Sequence, residues 1–379
     1  MSTSLSASDA ELIGQIRDAG FQRPESLTVM VTDGCNLRCR HCWLDCPALA
    51  DAVVVDSAKI LRIIDRFTPL GVRRVNLTGG EILSHPDWER ILRFCIDHPA
   101  LDGICLQTNA TLITRRQLNE LQRLPSDKLT IQVSLDGPNA PTHDIVRGTG
   151  SFDRAMRGLR LLLEAGFGPR IQVAFTEMAH NFDELPALLK TVDALGINRL
   201  ISSTLISGGR AGSSTRMQLP RPAQYRRLIK RYQMDPQFKT LYERKGSIAA
   251  IEWFKHREDV SDGDCDCLKD IFIDSRGHIY PCTMLLLDDY ASESVYDRPL
   301  DLVIRQALIT WREIPAMHRQ RRNEMASCTD CPGRMHCRGG CMGRAASSGE
   351  GMMAPEDRCF LRKAVYGWSP TSDSNPPVK

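Results

Sequence analysis

The chain lacks the features that would direct it out of the cell, into a membrane or onto nucleic acid. It has 379 residues and a formal net charge of only +3, too small to indicate nucleic-acid binding by itself. No apolar run reaches the ~20 residues of a membrane-spanning helix. The polar N-terminus, MSTSLSASDA, has no apolar core of a secretion signal. We therefore expect a cytoplasmic globular protein, and the sequence has no internal repeats.

Cysteine is the residue type that is abundant. The fourteen cysteines fall into one group at 35–46 and a second at 265–359, with only Cys95 and Cys105 between them. In a secreted chain they would indicate disulfides, but clustered thiolates in a cytosolic protein indicate iron–sulfur clusters, zinc or Cu(I). Cys95 and Cys105 lie in apolar helix and strand patterns, so we interpret them as buried core thiols.

The first group reads TDGCNLRCRHCWLDC over residues 32–46, with Cys35, Cys39 and Cys42 spaced C-x3-C-x2-C. Such gaps let one short loop surround a metal centre from three sides. A tetrahedral zinc site would need a fourth ligand, whereas an iron–sulfur cubane with three thiolates would keep one iron open. Cys46 does not fit this three-ligand pattern, and we assign it no role.

Strand and helix patterns alternate six times in the first half of the chain. Such alternation predicts parallel strands with right-handed crossovers, either in a barrel or in an open doubly wound sheet. The polar signals LTGGE, QTNA, SLDG and SGGR follow predicted strands, at the ends where barrel active sites lie. We therefore predict a partial (β/α)6 TIM-like barrel. Thr114 is predicted to cap one of its helices.

The sequence predicts five regions. They are an N-terminal extension with a short helix, the partial barrel, a basic helical connector, a cysteine-rich region with a β-hairpin, and a disordered tail, at 1–24, 25–206, 207–262, 263–362 and 363–379.

The three-cysteine loop, followed by Gly-Gly-Glu at the end of the next strand, resembles the radical S-adenosylmethionine (SAM) superfamily. The resemblance covers roughly residues 25–210 and implies a [4Fe–4S] cluster whose open iron is chelated by SAM. His41 stands where relatives often carry another aromatic residue before the third cysteine. The resemblance also implies SAM contacts from Gly79, Gly80, Glu81, Asn109, Ser134, Asp136 and Arg147.

These seven residues have different implied roles. The two glycines and Glu81 would bind the methionine amino end, and Arg147 would pair with the SAM carboxylate. Ser134 and Asp136 would lie near the ribose, and Asn109 would face SAM or substrate. Ordinary turn chemistry is the alternative for the last three residues.

The second group of cysteines has a spacing of its own: Cys267-x9-Gly277-x4-Cys282, Cys328-x2-Cys331-x5-Cys337-x3-Cys341, and then Cys359. Two zinc-ribbon-like sites are one interpretation. The spacing is also similar to the SPASM domain, which follows the barrel in a subgroup of radical SAM enzymes and implies two auxiliary [4Fe–4S] clusters. The outer one (auxiliary cluster II) would be held by Cys328, Cys331, Cys337 and Cys359. The inner one (auxiliary cluster I) would be held by Cys267, Cys282 and Cys341, with Cys265 as a fourth ligand or with an open iron.

The resemblance implies radical chemistry. In the family, an electron from the first cluster cleaves SAM, and the resulting 5′-deoxyadenosyl radical abstracts hydrogen from substrate. Auxiliary clusters could take an electron back, which favours oxidative formation of a C–C, C–S or C–O bond. Because SPASM relatives mostly modify peptides, we predict a ribosomally made peptide or protein as substrate. Oxidation or decarboxylation of a small molecule, such as a tetrapyrrole side chain or a sugar, is the alternative. A non-enzymatic iron–sulfur electron carrier would leave the Gly-Gly-Glu motif and the open three-cysteine site unexplained.

The predicted partners follow from this chemistry. They are a precursor peptide and an electron donor such as flavodoxin or ferredoxin, with no nucleic acid and no membrane. The N-terminal extension is too short for a leader-binding domain, so we expect a separate leader-binding protein or a leaderless mode. No catalytic residue beyond the cofactors is assigned.

Overall fold

The structure is a computed structural model that describes residues 6–124, 126–214, 217–260 and 265–369. The predicted tail lies largely outside the described residues, although its beginning continues the last helix. No helix within the described ranges combines the length and apolarity that crossing a membrane requires.

One sheet forms the centre of the molecule. Its strands, in chain order, are β1 Ser26–Met30, β2 Arg74–Thr78, β3 Gly103–Thr108, β4 Leu129–Ser134, β5 Ile171–Glu177, β6 Arg199–Thr204, β7 Gly246–Ser247, β8 Asp270–Ile273 and β9 Ile279–Tyr280. The order across the sheet is β7-β6-β5-β4-β3-β2-β1-β8-β9. Strands β1 to β6 are all parallel, each paired with the next. This confirms the predicted partial barrel.

Helices lie before, between and after the strands. They are α1 Ala7–Asp18, α2 Ser57–Phe67, α3 Trp88–Asp97, α4 Arg115–Gln122, α5 Ala140–Arg147, α6 Ser151–Glu164, α7 Leu185–Ala194, α8 Gly209–Gly212, α9 Pro222–Met234, α10 Pro236–Lys245, α11 Ala249–Lys255, α12 Leu300–Trp311, α13 Glu313–Glu324, α14 Arg334–Cys337, α15 Met342–Ser347 and α16 Cys359–Tyr366.

Successive residues along each strand alternate between two environments. Along β4 and β5 every second residue is buried, because one face of each strand packs against helices. The other face is half-buried and carries polar side chains, such as Gln132 on β4 and Gln172 on β5, whose amide groups form a hydrogen bond of 2.9 Å. Cys95 is buried as predicted, but Cys105 is only half-buried, since it lies on the polar face with its Sγ 3.9 Å from the Gln132 Oε1 atom.

The predicted hairpin of the cysteine-rich region is present as β8 and β9. Its first strand pairs in parallel with β1, with Ser26 opposite Asp270, so the hairpin extends the barrel sheet. Cys267 precedes β8 and Cys282 follows β9, and the hairpin therefore brings their Sγ atoms to 3.9 Å. Elsewhere in this region α16 packs against α9 and α11 of the connector.

Candidate active site

A cavity of about 520 Å³ lies at the C-terminal ends of the parallel strands. Its wall includes the first cysteine loop, the last residues of β2 to β4, and Phe272 and Met284 from the hairpin region. The three cysteines of the loop and six of the seven assigned SAM contacts line it: Cys35, Cys39, Cys42, Gly79, Gly80, Glu81, Asn109, Ser134 and Arg147. Asp136 is the one residue of the assigned SAM contacts that does not.

The two glycines bring the end of β2 against the cysteine loop. The Gly80 amide donates to Thr32 O (2.8 Å) and the Glu81 amide donates to Gly34 O (2.9 Å). A Cβ on Gly80 would lie 2.2 Å from Gly34 O, and one on Gly79 would lie 2.6 Å from Thr32 O. No side chain fits at such distances. The glycines therefore fix the loop against the strand end in addition to any ligand contact.

Glu81 is a buried carboxylate whose position is set by three hydrogen bonds. It accepts from Thr108 Oγ1 at 2.6 Å, from the Asn109 amide at 2.7 Å and from the Leu83 amide at 3.1 Å. Burial raises the pKa of Glu81, and the hydrogen bonds act in the opposite direction. A carboxylate held in this way at a cavity wall can receive an ammonium group. Thr108 was not identified from the sequence, although it belongs to the QTNA signal.

Arg147 is held by Asp136 behind the cavity wall. Its Nε donates to Asp136 Oδ2 at 2.6 Å, and the other carboxylate oxygen accepts from the Thr176 amide at 2.8 Å. Burial raises the pKa of Asp136, but the charge of Arg147, together with the hydrogen bond from the Thr176 amide, outweighs it and lowers the value to about 2. Asp136 is fully buried and thus positions Arg147, which does reach the cavity.

His41 completes this buried network. Its Nε2 lies 3.3 Å from Asp136 Oδ2, and burial lowers the pKa of His41 to about 4. Its Nδ1 is buried and has no hydrogen-bond partner among the described residues. The ring is therefore neutral near pH 7, and one of its nitrogens is buried and unpaired within the described ranges.

Arg210 and Cys46 also help to hold the cysteine loop in place. Arg210, in the SGGR signal after β6, donates to Cys39 O (3.0 Å) and Cys46 O (2.9 Å) and so clamps the loop from the far edge of the sheet. Cys46 also lines the cavity, and a hydrogen bond from its thiol lowers the pKa of Cys42 to about 6. Asn109, by contrast, borders the loop at Cys35, with 3.9 Å between its Nδ2 and the Sγ atom.

The donor set of this cavity suits a cluster better than a single ion. Within the described ranges, no three His, Cys, Asp or Glu side chains converge closely enough to hold one metal ion. The three cysteines of the loop all line the cavity, and thiolates at this short spacing favour an iron–sulfur cluster.

The second group of cysteines forms two sets. Four of them line a separate small cavity: Cys328, Cys331, Cys337 and Cys359. In the other set, Cys265 Sγ lies 3.4 Å from Cys267 Sγ. Burial raises the pKa of the Cys341 thiol, and the charge of the Cys282 thiolate adds a smaller increase.

Glu356 connects the two sets. It accepts from the Cys341 amide at 2.9 Å and from Arg358 at 2.9 Å, and Arg362 also donates to it. Although burial opposes the shift, these two arginines lower the pKa of Glu356 to about 2. No pattern in the sequence pointed to this carboxylate, because its partners are identified only by the fold.

A buried arginine joins the cysteine-rich region to the barrel. Arg344 donates to Asp357 Oδ1 at 2.8 Å, to Thr204 O at 3.3 Å and to Leu205 O. The two carbonyls lie at the end of β6, beside the cavity. The sequence did not identify this contact either.

Comparison with known proteins agrees with these features. The Radical SAM superfamily matches residues 29–201. The mycofactocin maturase MftC of Mycobacterium ulcerans is 28% identical over 352 residues, which are 90% of this chain and 89% of that protein. The AdoMet-dependent heme synthase of Methanosarcina barkeri is 31% identical over 207 residues, 54% of this chain and 57% of that protein.

A solved structure extends the similarity through the cysteine-rich region. Streptococcus suis SuiB, bound to its precursor peptide SuiA, superposes with a TM-score of 0.71 at 17% identity, over 93% of this chain and 79% of that chain. The two proteins therefore share a fold. Residues 29–201, which contain the three-cysteine loop and the Gly-Gly-Glu motif, match the radical SAM superfamily.

Proposed function

We propose that this protein is a radical SAM enzyme that oxidatively modifies a ribosomally synthesised peptide. The observation that carries the proposal is the single cavity where three cysteines of one loop meet the carboxylate of Glu81 and the guanidinium of Arg147. These groups are complementary to a thiophilic cluster, an ammonium and a carboxylate, respectively.

Within this cavity, Cys35, Cys39 and Cys42 would hold a [4Fe–4S] cluster. When bound, that cluster and SAM supply one-electron cleavage of SAM and hydrogen abstraction from the substrate. Glu81 would accept hydrogen bonds from the SAM ammonium, and Arg147, oriented by Asp136, would pair with its carboxylate. Gly79, Gly80, Asn109 and Ser134 complete the contacts.

The C-terminal cysteines would hold two auxiliary [4Fe–4S] clusters. We assign the outer cluster to the four cysteines around the small cavity, Cys328, Cys331, Cys337 and Cys359. The packing of Cys265 against Cys267 supports it as the fourth ligand of the inner cluster, with Cys282 and Cys341. In this assignment, residues 25–206 form the SAM-binding region and residues 263–362 the auxiliary-cluster region, joined by the connector 207–262.

A peptide substrate is supported by the relatives. MftC is named a maturase, and SuiB is seen with a precursor peptide. In this chain, Phe272 and Met284 from the hairpin region form part of the cavity wall. The substrate would therefore contact both the barrel and the cysteine-rich region. A flavodoxin or ferredoxin would supply the electron.

Anaerobic reconstitution tests the proposal. We expect about twelve irons per chain, and release of 5′-deoxyadenosine when SAM, dithionite and a peptide encoded beside the gene are added. The peptide should lose two hydrogen atoms by mass spectrometry. A content of about four irons per chain would contradict the assignment of two auxiliary clusters. Bound zinc without iron would contradict the assignment of all three clusters.

The similarity to the heme synthase favours a second candidate, oxidation or decarboxylation of a tetrapyrrole side chain. The same assay distinguishes the two. An enzyme that releases 5′-deoxyadenosine in step with a porphyrin product, and leaves the neighbouring peptide unchanged, would have the second function.

A further inference from the structure

Arg321 on α13 is a fully buried cation in the cysteine-rich region. Its guanidinium group donates to three backbone carbonyl oxygens: Gly339 O at 2.8 Å, Ala354 O at 2.6 Å and Gly340 O at 3.3 Å. Its Nε atom is also buried and has no hydrogen-bond partner among the described residues. An arginine is seldom fully buried unless it is paired. The position of this charge therefore calls for an explanation.

The guanidinium group lies against the segment that joins the two sets of cysteines. Gly339 and Gly340 form the link between Cys337, assigned to the outer cluster, and Cys341, assigned to the inner one. Gly339 also lines the small cavity around the four outer cysteines. The Gly340 carbonyl belongs to the peptide bond that leads directly into Cys341. Arg321 thus binds the short stretch of main chain that carries one assigned ligand of each auxiliary cluster.

The nearby carboxylate of Glu356 does not compensate for this charge. Glu356 already accepts hydrogen bonds from Arg358 and Arg362, so three guanidinium groups surround a single carboxylate. Burial lowers the pKa of Arg321, and the negative charges of Cys341 and Glu356 act against burial. An arginine side chain stays protonated in proteins, so its positive charge is permanent. The described residues therefore leave an excess of buried positive charge beside the two sets of cysteines.

An anion at the cysteines would balance this excess. Cysteine binds metal as the thiolate, so four thiolates around an iron–sulfur cluster make an anionic site. A buried charge is costly unless it is paired. The unpaired guanidinium group is therefore complementary to the clusters that the C-terminal cysteines would hold.

We propose that Arg321 raises the reduction potentials of the two auxiliary clusters and so prepares them to accept the electron that the substrate radical gives up. This inference rests on the proposed function, because it requires clusters at the assigned cysteines. Reduction adds one negative charge to an anionic site, and a nearby cation stabilises that added charge. The effect is stronger here than at the surface, because salt screens a buried charge much less. Arg321 acts through its charge alone and makes or breaks no bond.

A redox titration of the reconstituted full chain, followed by electron paramagnetic resonance, tests this role. The first cluster is identified by the change that SAM causes in its signal, and it serves as an internal reference. In R321Q each auxiliary cluster should be at least about tenfold harder to reduce, which corresponds to a potential about 59 mV more negative for one electron. The first cluster should keep its potential. R321K retains the charge, and its auxiliary clusters should titrate like those of the parent protein.

The matched control is R322Q, which removes the same charge from the next residue of α13, where the side chain is only half-buried. Its clusters should titrate like those of the parent, because water and salt screen the lost charge. Unchanged auxiliary potentials in R321Q would overturn the proposal, and so would an equal shift in R322Q or in R321K. Loss of auxiliary iron from R321Q would also overturn it, because Arg321 would then hold the ligands in place rather than adjust the potentials.

The parent protein separates this proposal from the proposed function. A parent with about four irons per chain and no auxiliary signals would contradict the auxiliary clusters themselves. A parent with three titrating clusters, whose auxiliary potentials do not respond to R321Q, would leave the proposed function intact. Only the role of Arg321 would then be wrong.

Discussion

At the scale of single residues, Asp136 and Arg147 show how a side chain outside the cavity can orient one that lines it. Arg147 reaches the cavity, but its direction is set by the fully buried Asp136. A buried ion pair costs desolvation, so losing one partner leaves an uncompensated charge. Asp136 is thus assigned a positioning role, which differs from the ribose contact that the sequence resemblance implied for it.

A D136N variant should show this role through its dependence on pH. Near neutral pH the loss of the buried charge should lower the free energy of unfolding by about 3–5 kcal/mol. The pKa of Asp136 is about 2 in the folded protein and about 3.9 when unfolded. The stabilisation is therefore present above pH ~4 and is lost as the pH falls towards 2.

Denaturant unfolding of the cluster-free protein from pH 7 to pH 2 measures this difference between parent and variant. The control is D153N, because Asp153 lies on α6 and forms no ion pair within the described ranges. A difference that stays constant across the acid range would contradict the assignment.

At the scale of elements, the sequence predicted most of the local structure. Thr114 does cap α4, with a capping box completed by Gln117, and the six strands occur where apolar runs end in polar residues. These are local preferences, set by residues within one or two turns of each other. The close approach of the cysteine loop to the end of β2 is different, because it joins residues such as Gly80 and Thr32, which are 48 positions apart in the sequence. The motif identified both glycines, but only the fold shows that they contact Thr32 and Gly34.

A G80A variant tests that contact. The added Cβ would meet backbone atoms of the cysteine loop at 2.2 Å, so the loop must move away from β2. We expect a loss of iron bound at the first site and weaker SAM binding, measured by iron analysis and calorimetry. G14A is the control, because a Cβ on Gly14 has nothing within 4 Å and alanine favours the helix there. Full iron content and unchanged SAM affinity in G80A would show that a side chain fits between the end of β2 and the cysteine loop.

At the scale of the whole molecule, the barrel and the cysteine-rich region are joined in two ways. Strand β8 extends the barrel sheet beside β1, and Arg344 binds the carbonyls at the end of β6. The same arginine is held by Asp357, which directly follows Glu356. The second cysteine group is therefore tied to the strand ends that form the cavity wall.

An R344M variant should weaken this junction. It leaves the partly buried Asp357 carboxylate without its charge partner, at a cost of about 3 kcal/mol. We expect faster hydrogen exchange in residues 341–366 and unchanged exchange in strands β2 to β4. R312M, at an exposed arginine, is the control. Equal exchange in both variants would mean that the sheet alone holds the two regions together.

By itself, the sequence determined the features whose parts lie close together along the chain. The spacing of Cys35, Cys39 and Cys42 gathers three thiols because few residues separate them, and periodicity fixes strands and helices for the same reason. Only the tertiary structure decided that Asp136 stands behind Arg147, that Arg344 reaches β6 and that the hairpin joins β1. Those contacts depend on which distant segments share a buried environment. Burial is a property of the whole packed molecule, so no short stretch of sequence determines it.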